Sequence, residues 1–306
     1  MKLAPIALFV YNRPAHTQKT IEALKNNLLA SESDLYIFSD AAKTAKDNDS
    51  VAKVQQLING LDNNSFNKIE IIEQRENLGL ANSIITGVTR LVNEYGRVIV
   101  MEDDLISSPY CLQYFNDALD FYLDYERVMH IGAYMYPINM AGLPDSFFFR
   151  AVPSWAWATW KRAWVHFEPD IEKLYARFDD KKISDFSIDH SENFWKQVNE
   201  YRAAKINSWA IRWYASVFLA GGLSLWPSVS FINNIGNDAS GTHSDATDMY
   251  HNKELCNRRI SDFPKIIEEN NEAYKRIKHF YRTRKGSWLK RGMTFLRTWS
   301  KKLFRK

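Results

Sequence analysis

Residues 97–104 read Arg97-Val98-Ile99-Val100-Met101-Glu102-Asp103-Asp104. Four consecutive apolar residues make a run of strand length, the pattern of a strand covered on both faces. The run ends directly in three acids. Carboxylate oxygens gathered at a strand's carboxyl end suit a hard divalent cation, Mg²⁺ or Mn²⁺, which in turn grips a diphosphate. A solvated turn, or a helix start with acids complementing its dipole, is the other reading of the triplet taken alone.

The flanking sequence repeats the motif of a buried strand followed by a polar cluster. Residues 5–11 (PIALFVY) form an apolar run broken by Asn12-Arg13-Pro14, and a helix is expected over about 15–29. Residues 34–40 (DLYIFSD) read as the next strand, ahead of a helix near 50–58 with Gly60 as its terminator. Residues 68–73 (KIEIIE) give a third strand, and Asn77-Leu78-Gly79-Leu80 turns the chain into a helix lasting to about Glu94. This alternation predicts an α/β fold, a Rossmann-like, mainly parallel sheet with helices on both faces. Ligands of such sheets bind beyond the carboxyl ends of the strands. Asn12-Arg13, Asp40, residues 75–79 and the 102–104 triplet all fall there.

Beyond about residue 130 the texture changes. Eight of the ten tryptophans lie between Trp155 and Trp226. Strands are expected near 128–131, 147–150, 223–226 and 230–232, and helices near 171–178 and 192–205. No repeat or low-complexity linker separates the halves. The expected organisation is a first half (1–130), a second half contiguous with it (131–270) and a tail (271–306).

The chain has 306 residues, 45% of them hydrophobic and 25% charged, enough for one large core and too apolar for a disordered or collagen-like chain. Cys111 and Cys256 make no disulfide framework and no CxxC is present, which fits a reduced, cytoplasmic setting. The first apolar run is short for a signal peptide, and no stretch approaches the ~20 apolar residues of a membrane span. Residues 275–306 hold thirteen Lys and Arg and no acid; with a total of +4, the rest of the chain is left at −9.

Two further constellations carry chemistry. Residues 234–244 (NIGNDASGTHS) set two glycines around polar residues with His243 near the end. Such a segment suits a loop that folds over a charged ligand, His243 offering an imidazole to a metal; an ordinary surface loop is the alternative. Residues 154–160 (SWAWATW) are rich in tryptophan, whose faces stack on sugar rings, although core packing accounts for most such rings.

In order and spacing, these motifs resemble the GT-A-fold glycosyltransferases. Residues 154–164 (SWAWATWKRAW), 207–213 (NSWAIRW) and 234–243 (NIGNDASGTH) are similar to a group of bacterial sugar transferases near the family-2-like enzymes. The acidic triplet resembles that of the N-acetylglucosaminyltransferase I type. The resemblance spans roughly residues 4–245. It implies a nucleotide-sugar donor, with a UDP-sugar favoured, and a Mn²⁺ or Mg²⁺ ion. Asp40 and Arg75 would lie near the nucleobase and ribose, Asp103 on the ribose and Asp104 on the metal, with His243 at the metal or diphosphate. Asn12, Arg13, Asn77, Gly79, Glu102 and Arg212 complete the expected donor-site set, Arg212 being equally suited to a structural ion pair. Trp155, Trp157 and Trp209 are the expected acceptor-facing rings.

Inverting enzymes of this fold deprotonate the acceptor hydroxyl with an Asp or Glu. Related sequences sometimes carry Asp after the tryptophan of the NSW segment; here that position is Ala210. Asp238 is the first alternative for the base, followed by Glu168 and Asp170. Loss of the base would leave a nucleotide- or glycan-binding protein on the same fold. A nucleotidyltransferase, the third reading, calls for a glycine-rich loop after the first strand, and residues 11–14 hold no glycine. The basic tail, with a helix expected from about Ser287, reads as an amphipathic element for the anionic inner face of the cytoplasmic membrane, where a lipid-linked glycan acceptor would lie. Nucleic acid is not expected as a partner, given the acidic body.

Overall fold

The computed structural model describes residues 2–238 and 248–284. The first half alternates as its hydrophobic pattern requires: β1 (Ile6–Val10), α1 (Pro14–Lys25), β2 (Asp34–Ser39), α2 (Asn48–Asn59), β3 (Lys68–Glu73), α3 (Leu80–Tyr95) and β4 (Arg97–Glu102). A short β5 (Leu105–Ser107) and α4 (Cys111–Phe121) follow. The second half holds β6 (Val128–Gly132), β7 (Ser146–Phe149), β8 (Trp157–Trp160), α5 (Lys161–Trp164), α6 (Ile171–Tyr175), α7 (Asp180–Phe186), α8 (Phe194–Arg202), α9 (Trp209–Leu219), β9 (Leu223–Pro227), β10 (Ile232–Asn234) and α10 (Asn271–Thr283).

One eight-stranded sheet runs through both halves in the order β3-β2-β1-β4-β8-β6-β9-β7. The β3, β2, β1 and β4 strands pair in parallel, as do β6 and β9, while β8 runs antiparallel between β4 and β6. All five residues of β1 are buried, the consequence of helices on both faces. The order reverses at β1, where β2 and β4 flank it, so the loops after β1, β2 and β4 open on one crevice. β5 and β10 form a separate antiparallel pair directly beyond the acid triplet, with Asn234 opposite Leu105. That pairing brings a segment 130 residues downstream onto the end of β4.

Most tryptophans of the second half are core residues. Trp157, Trp160, Trp213 and Trp226 are each at most 1% exposed. Trp209 stacks on Trp157, and Trp157 on His130, forming a column from α9 through β8 to β6. The last described helix, α10, buries Ala273, Ile277 and Tyr281 against the protein's own core. Its apolar positions are therefore spent on intramolecular packing over the described residues. The helix expected from about Ser287 lies outside the described residues. Among the described residues no helix is long and apolar enough to cross a membrane.

Candidate active site

The site starts at the end of β4, where the fully buried run Val98–Met101 gives way to the three acids. Glu102 is half-buried, Asp103 is buried and Asp104 is half-buried. Arg13, the residue before Pro14 at the start of α1, reaches across from the neighbouring strand. Its Nη2 donates to Asp103 Oδ1 and, at 2.9 Å, to Asp104 Oδ2. Against the cost of burial, the two carboxylates hold this guanidinium more firmly protonated than usual.

One cation does not neutralise three acids. Glu102 is pushed up to about 8, first by burial and then by the charges of Asp104 and Asp103, with Arg13 pulling the other way. Burial also raises Asp103, opposed by Arg13. Among the described residues the Glu102 carboxyl has no hydrogen-bond partner. Such a corner favours a further positive charge.

The downstream segment closes against it. Ile235 N–H donates to Asp104 O at 2.8 Å, and Gly236 N–H to Asn234 Oδ1 at 2.7 Å. A Cβ built on Gly236 would overlap the Asp104 carboxylate and come within 2.9 Å of Arg13 Nη1. Only glycine allows the backbone to lie this close. Asp238 follows, half-exposed, its Oδ2 3.1 Å from His16 Nε2. His243 lies outside the described residues.

The neighbouring loops form the other wall. Asp40, buried at the end of β2, accepts Leu78 N–H (2.8 Å), Gly79 N–H (2.9 Å), Ala41 N–H (3.0 Å) and Asn77 Nδ2 (3.0 Å). Its carboxylate is thus fully engaged in fixing the turn into α3, where Gly79 adopts φ 72°. These four bonds make Asp40 a residue that shapes the wall of the crevice. Asn12 Nδ2 donates to Asp47 Oδ1 at 3.2 Å, and Tyr11 Oη accepts Lys43 N–H at 3.0 Å, drawing the loop after β2 toward the loop after β1. Arg75 is exposed and makes no ion pair or hydrogen bond among the described residues.

Other expected site residues lie in the core or at helix ends. Trp157 is fully buried and Trp209 is 4% exposed, both inside the aromatic column, so neither faces an acceptor. The left-handed Ala156 (φ 47°) breaks the extended alternation that would put Trp155 and Trp157 on one face. Trp155 keeps an exposed part and packs edge-on against Tyr134 at 4.6 Å. Arg212 is buried; it donates to Ser208 O (3.2 Å), Pro169 O (3.3 Å) and Asn207 Oδ1 (3.4 Å) and lies over the Tyr201 ring. It ties the start of α9 to the segment before α6 instead of contacting a diphosphate. Asp170 caps α6 through Glu172 N–H, and Glu168 receives Asp170 N–H at 2.9 Å. Ala210 is partly buried against the core cluster that holds Trp157 and Trp209. His16 and Asp47 enter the site unread from the sequence, while Asn234 and Gly236 stood inside a flagged loop.

The residues at this corner fit a divalent cation. Asp104 and Glu102 present hard oxygens, and among the described residues no three His, Cys, Asp or Glu side chains are grouped so as to hold a metal by themselves. Mg²⁺ and Mn²⁺ sites of this kind take one or two carboxylates and complete their shell with substrate phosphates and water.

The sequence pattern described as Glycosyl transferase family 2 matches residues 6–128. No curated protein matches the chain. Among solved structures, the chain is similar to S. aureus TarS at 16% identity and TM-score 0.33, covering 47% of this chain and 24% of that one. It therefore spans about a quarter of that protein's length. It is also similar to the mannosyltransferase PcManGT from Pyrobaculum calidifontis, in complex with GDP-Man and Mn²⁺ (11% identity, 71% and 70% covered, TM-score 0.39). The galactosyltransferase LgtC, in complex with donor and acceptor sugar analogs, is similar at 9% identity, with 72% of each chain covered and TM-score 0.37. The family match covers β1 through α4, the elements that carry Arg13, Asp40 and the acid triplet, so residues 6–128 are similar to the family-2 glycosyltransferases.

Proposed function

We propose that the chain moves a sugar from a nucleotide-diphosphate donor, a UDP-sugar in first place, to a hydroxyl of a glycan acceptor, with Mn²⁺ or Mg²⁺ at the acid corner. The observation that carries this reading is the crowding of Glu102, Asp103 and Asp104 around one arginine at the carboxyl end of β4. Asp104, with Glu102 beside it, would hold the ion. When bound, the ion supplies Lewis-acid relief of the charge that develops on the departing diphosphate. Arg13 keeps Asp103 and Asp104 oriented. Asp40 fixes the Asn77–Gly79 turn, and Tyr11, Asn12 and Asp47 shape the adjoining wall, so the nucleoside enters between the loops after β1, β2 and β3.

Asp238 is the candidate to accept the acceptor's proton, on a carboxylate oxygen, because among the described residues it is the acid that follows Gly236 on the facing loop. Glu168 and Asp170 sit instead around the start of α9. Trp155 is the remaining aromatic candidate for an acceptor sugar. The acceptor would be a lipid-linked glycan of surface polysaccharide or lipopolysaccharide assembly, met at the inner face of the cytoplasmic membrane. Ala210 favours one second reading, a protein that binds donor or glycan without transfer.

Isothermal titration of UDP and GDP with and without Mn²⁺ tests the reading. Asp104→Ala should remove the metal-dependent part of binding, a loss of at least about tenfold for one charge-assisted contact. Equal nucleotide affinity in the presence and absence of metal would overturn it. Mass-spectrometric detection of donor hydrolysis or transfer separates the enzyme from the binding protein.

A further inference from the structure

The first turn of α1 faces the acid corner with more than Arg13. Arg13, His16 and Thr20 recur at helical spacing, so they share one side of α1. Thr20 Oγ1 donates to Asp103 O at 2.9 Å, from a fully buried position. Arg13 holds the two aspartates. His16, between them, reaches outward to Asp238 Oδ2 at 3.1 Å, with only 16% of its side chain exposed. One helix face therefore contacts both walls of the site, the acid corner through Arg13 and Thr20 and the downstream loop through His16.

The opposite wall is laid along the corner by its own bonds. Ile235 and Gly236 are fixed by Asp104 O and Asn234 Oδ1, and Gly236 leaves no room for a side chain. Asp238, two residues on, is held across the site by His16. We infer that His16 is a positioning residue: it fixes the Asp238 carboxylate and the 235–238 backbone above Asp104. This rests on the reading of Asp238 as the acceptor's base. Catalytic proton transfer needs the accepting oxygen within hydrogen-bond reach of the hydroxyl, and the bond from His16 restricts the orientations this carboxylate takes.

The test uses the full chain, as wild type, His16→Ala and His16→Gln, the glutamine placing an amide N–H at comparable reach. Without ligand, hydrogen exchange of the 235–238 amides should accelerate about tenfold in His16→Ala, as expected for losing one hydrogen bond to a charged group, and return toward wild type in His16→Gln. Hydrolysis of a UDP-sugar with Mn²⁺ should show kcat falling about tenfold in His16→Ala with donor KM nearly unchanged, and Asp238→Asn should make the His16→Ala loss no worse. Unchanged exchange in His16→Ala overturns the inference. So does faster exchange with unaltered kcat, or a change confined to KM. If the wild type neither binds UDP nor hydrolyses donor, the transferase reading fails, and the exchange data alone decide whether His16 holds the loop.

Discussion

Gly236 is the most constrained single position of the site. Its backbone conformation is ordinary, so only space excludes a side chain: a methyl there meets the Asp104 carboxylate on one side and Arg13 Nη1 on the other. Neither neighbour can retreat without loosening the other, because the two are bonded to each other at 2.9 Å. Gly236→Ala should therefore displace the loop or the carboxylate. Overpacking of this kind costs about 1–3 kcal/mol, and charged to the site it lowers affinity for UDP with Mn²⁺ by roughly tenfold or more. Gly236 is itself buried, so the thermal midpoint should fall by a few degrees as well. Calorimetry at wild-type affinity would show that the loop does not need to approach Asp104.

At the scale of elements, the helices and strands divide into those that build the corner and those that support it. The column Trp209–Trp157–His130 supports it from below, linking α9, β8 and β6. His130 is fully buried, with Nδ1 2.8 Å from Ser224 Oγ, and burial pushes it down to about 3. An unfolded histidine takes up a proton near pH 6.5, so between that pH and about 3 the unfolded chain binds the extra proton and folding weakens as pH falls. At pH 4.5 this one group removes roughly 2–3 kcal/mol relative to neutral pH. Urea midpoints at pH 7 and 4.5 should fall less steeply in His130→Gln than in wild type; equal slopes would refute the assignment. The same elements explain what the sequence disclosed. Strands buried on both faces announce themselves as unbroken apolar runs, so β1, β2 and β4 and the acids ending β4 were legible. A carboxylate's partners are not: Asp40 looked like a ligand contact because its four donors come from residues up to 39 positions away. Trp157 and Trp209 looked like sugar platforms because periodicity cannot tell a stacked core ring from an exposed one. His16 had no motif at all, since its partner is 222 residues downstream.

For the whole molecule, the governing feature is the division of charge. Residues 1–274 carry −9 and residues 275–306 carry +13. The described helix α10 straddles that boundary, and its structure restricts how the basic region can meet a membrane. Ala273 and Ile277 are fully buried, Tyr281 Oη bonds Tyr136 Oη at 2.6 Å, and Arg284 pairs with Glu192. Arg276 is held by the carbonyls of Asn139 and Ala141. Only Lys275, His279 and Arg282 of this helix point outward as exposed basic residues. The helix can attract an anionic surface but has no apolar face left to insert. Attachment through it is then a matter of charge, worth ~1 kcal/mol per Lys or Arg near the surface and confined to about one Debye length. The full chain should co-sediment with vesicles containing phosphatidylglycerol at low salt and not with phosphatidylcholine alone. Raising the salt to roughly 0.5 M should release most of it, because screening then shortens the reach of each charge to a few ångströms. Replacing Lys275 and Arg282 by Glu should lower the salt needed for release while leaving the thermal midpoint close to wild type, since neither residue is buried. Binding that persists at high salt would mean that apolar insertion, from outside α10, dominates the contact, and failure to bind either kind of vesicle would remove the membrane from the account of this protein.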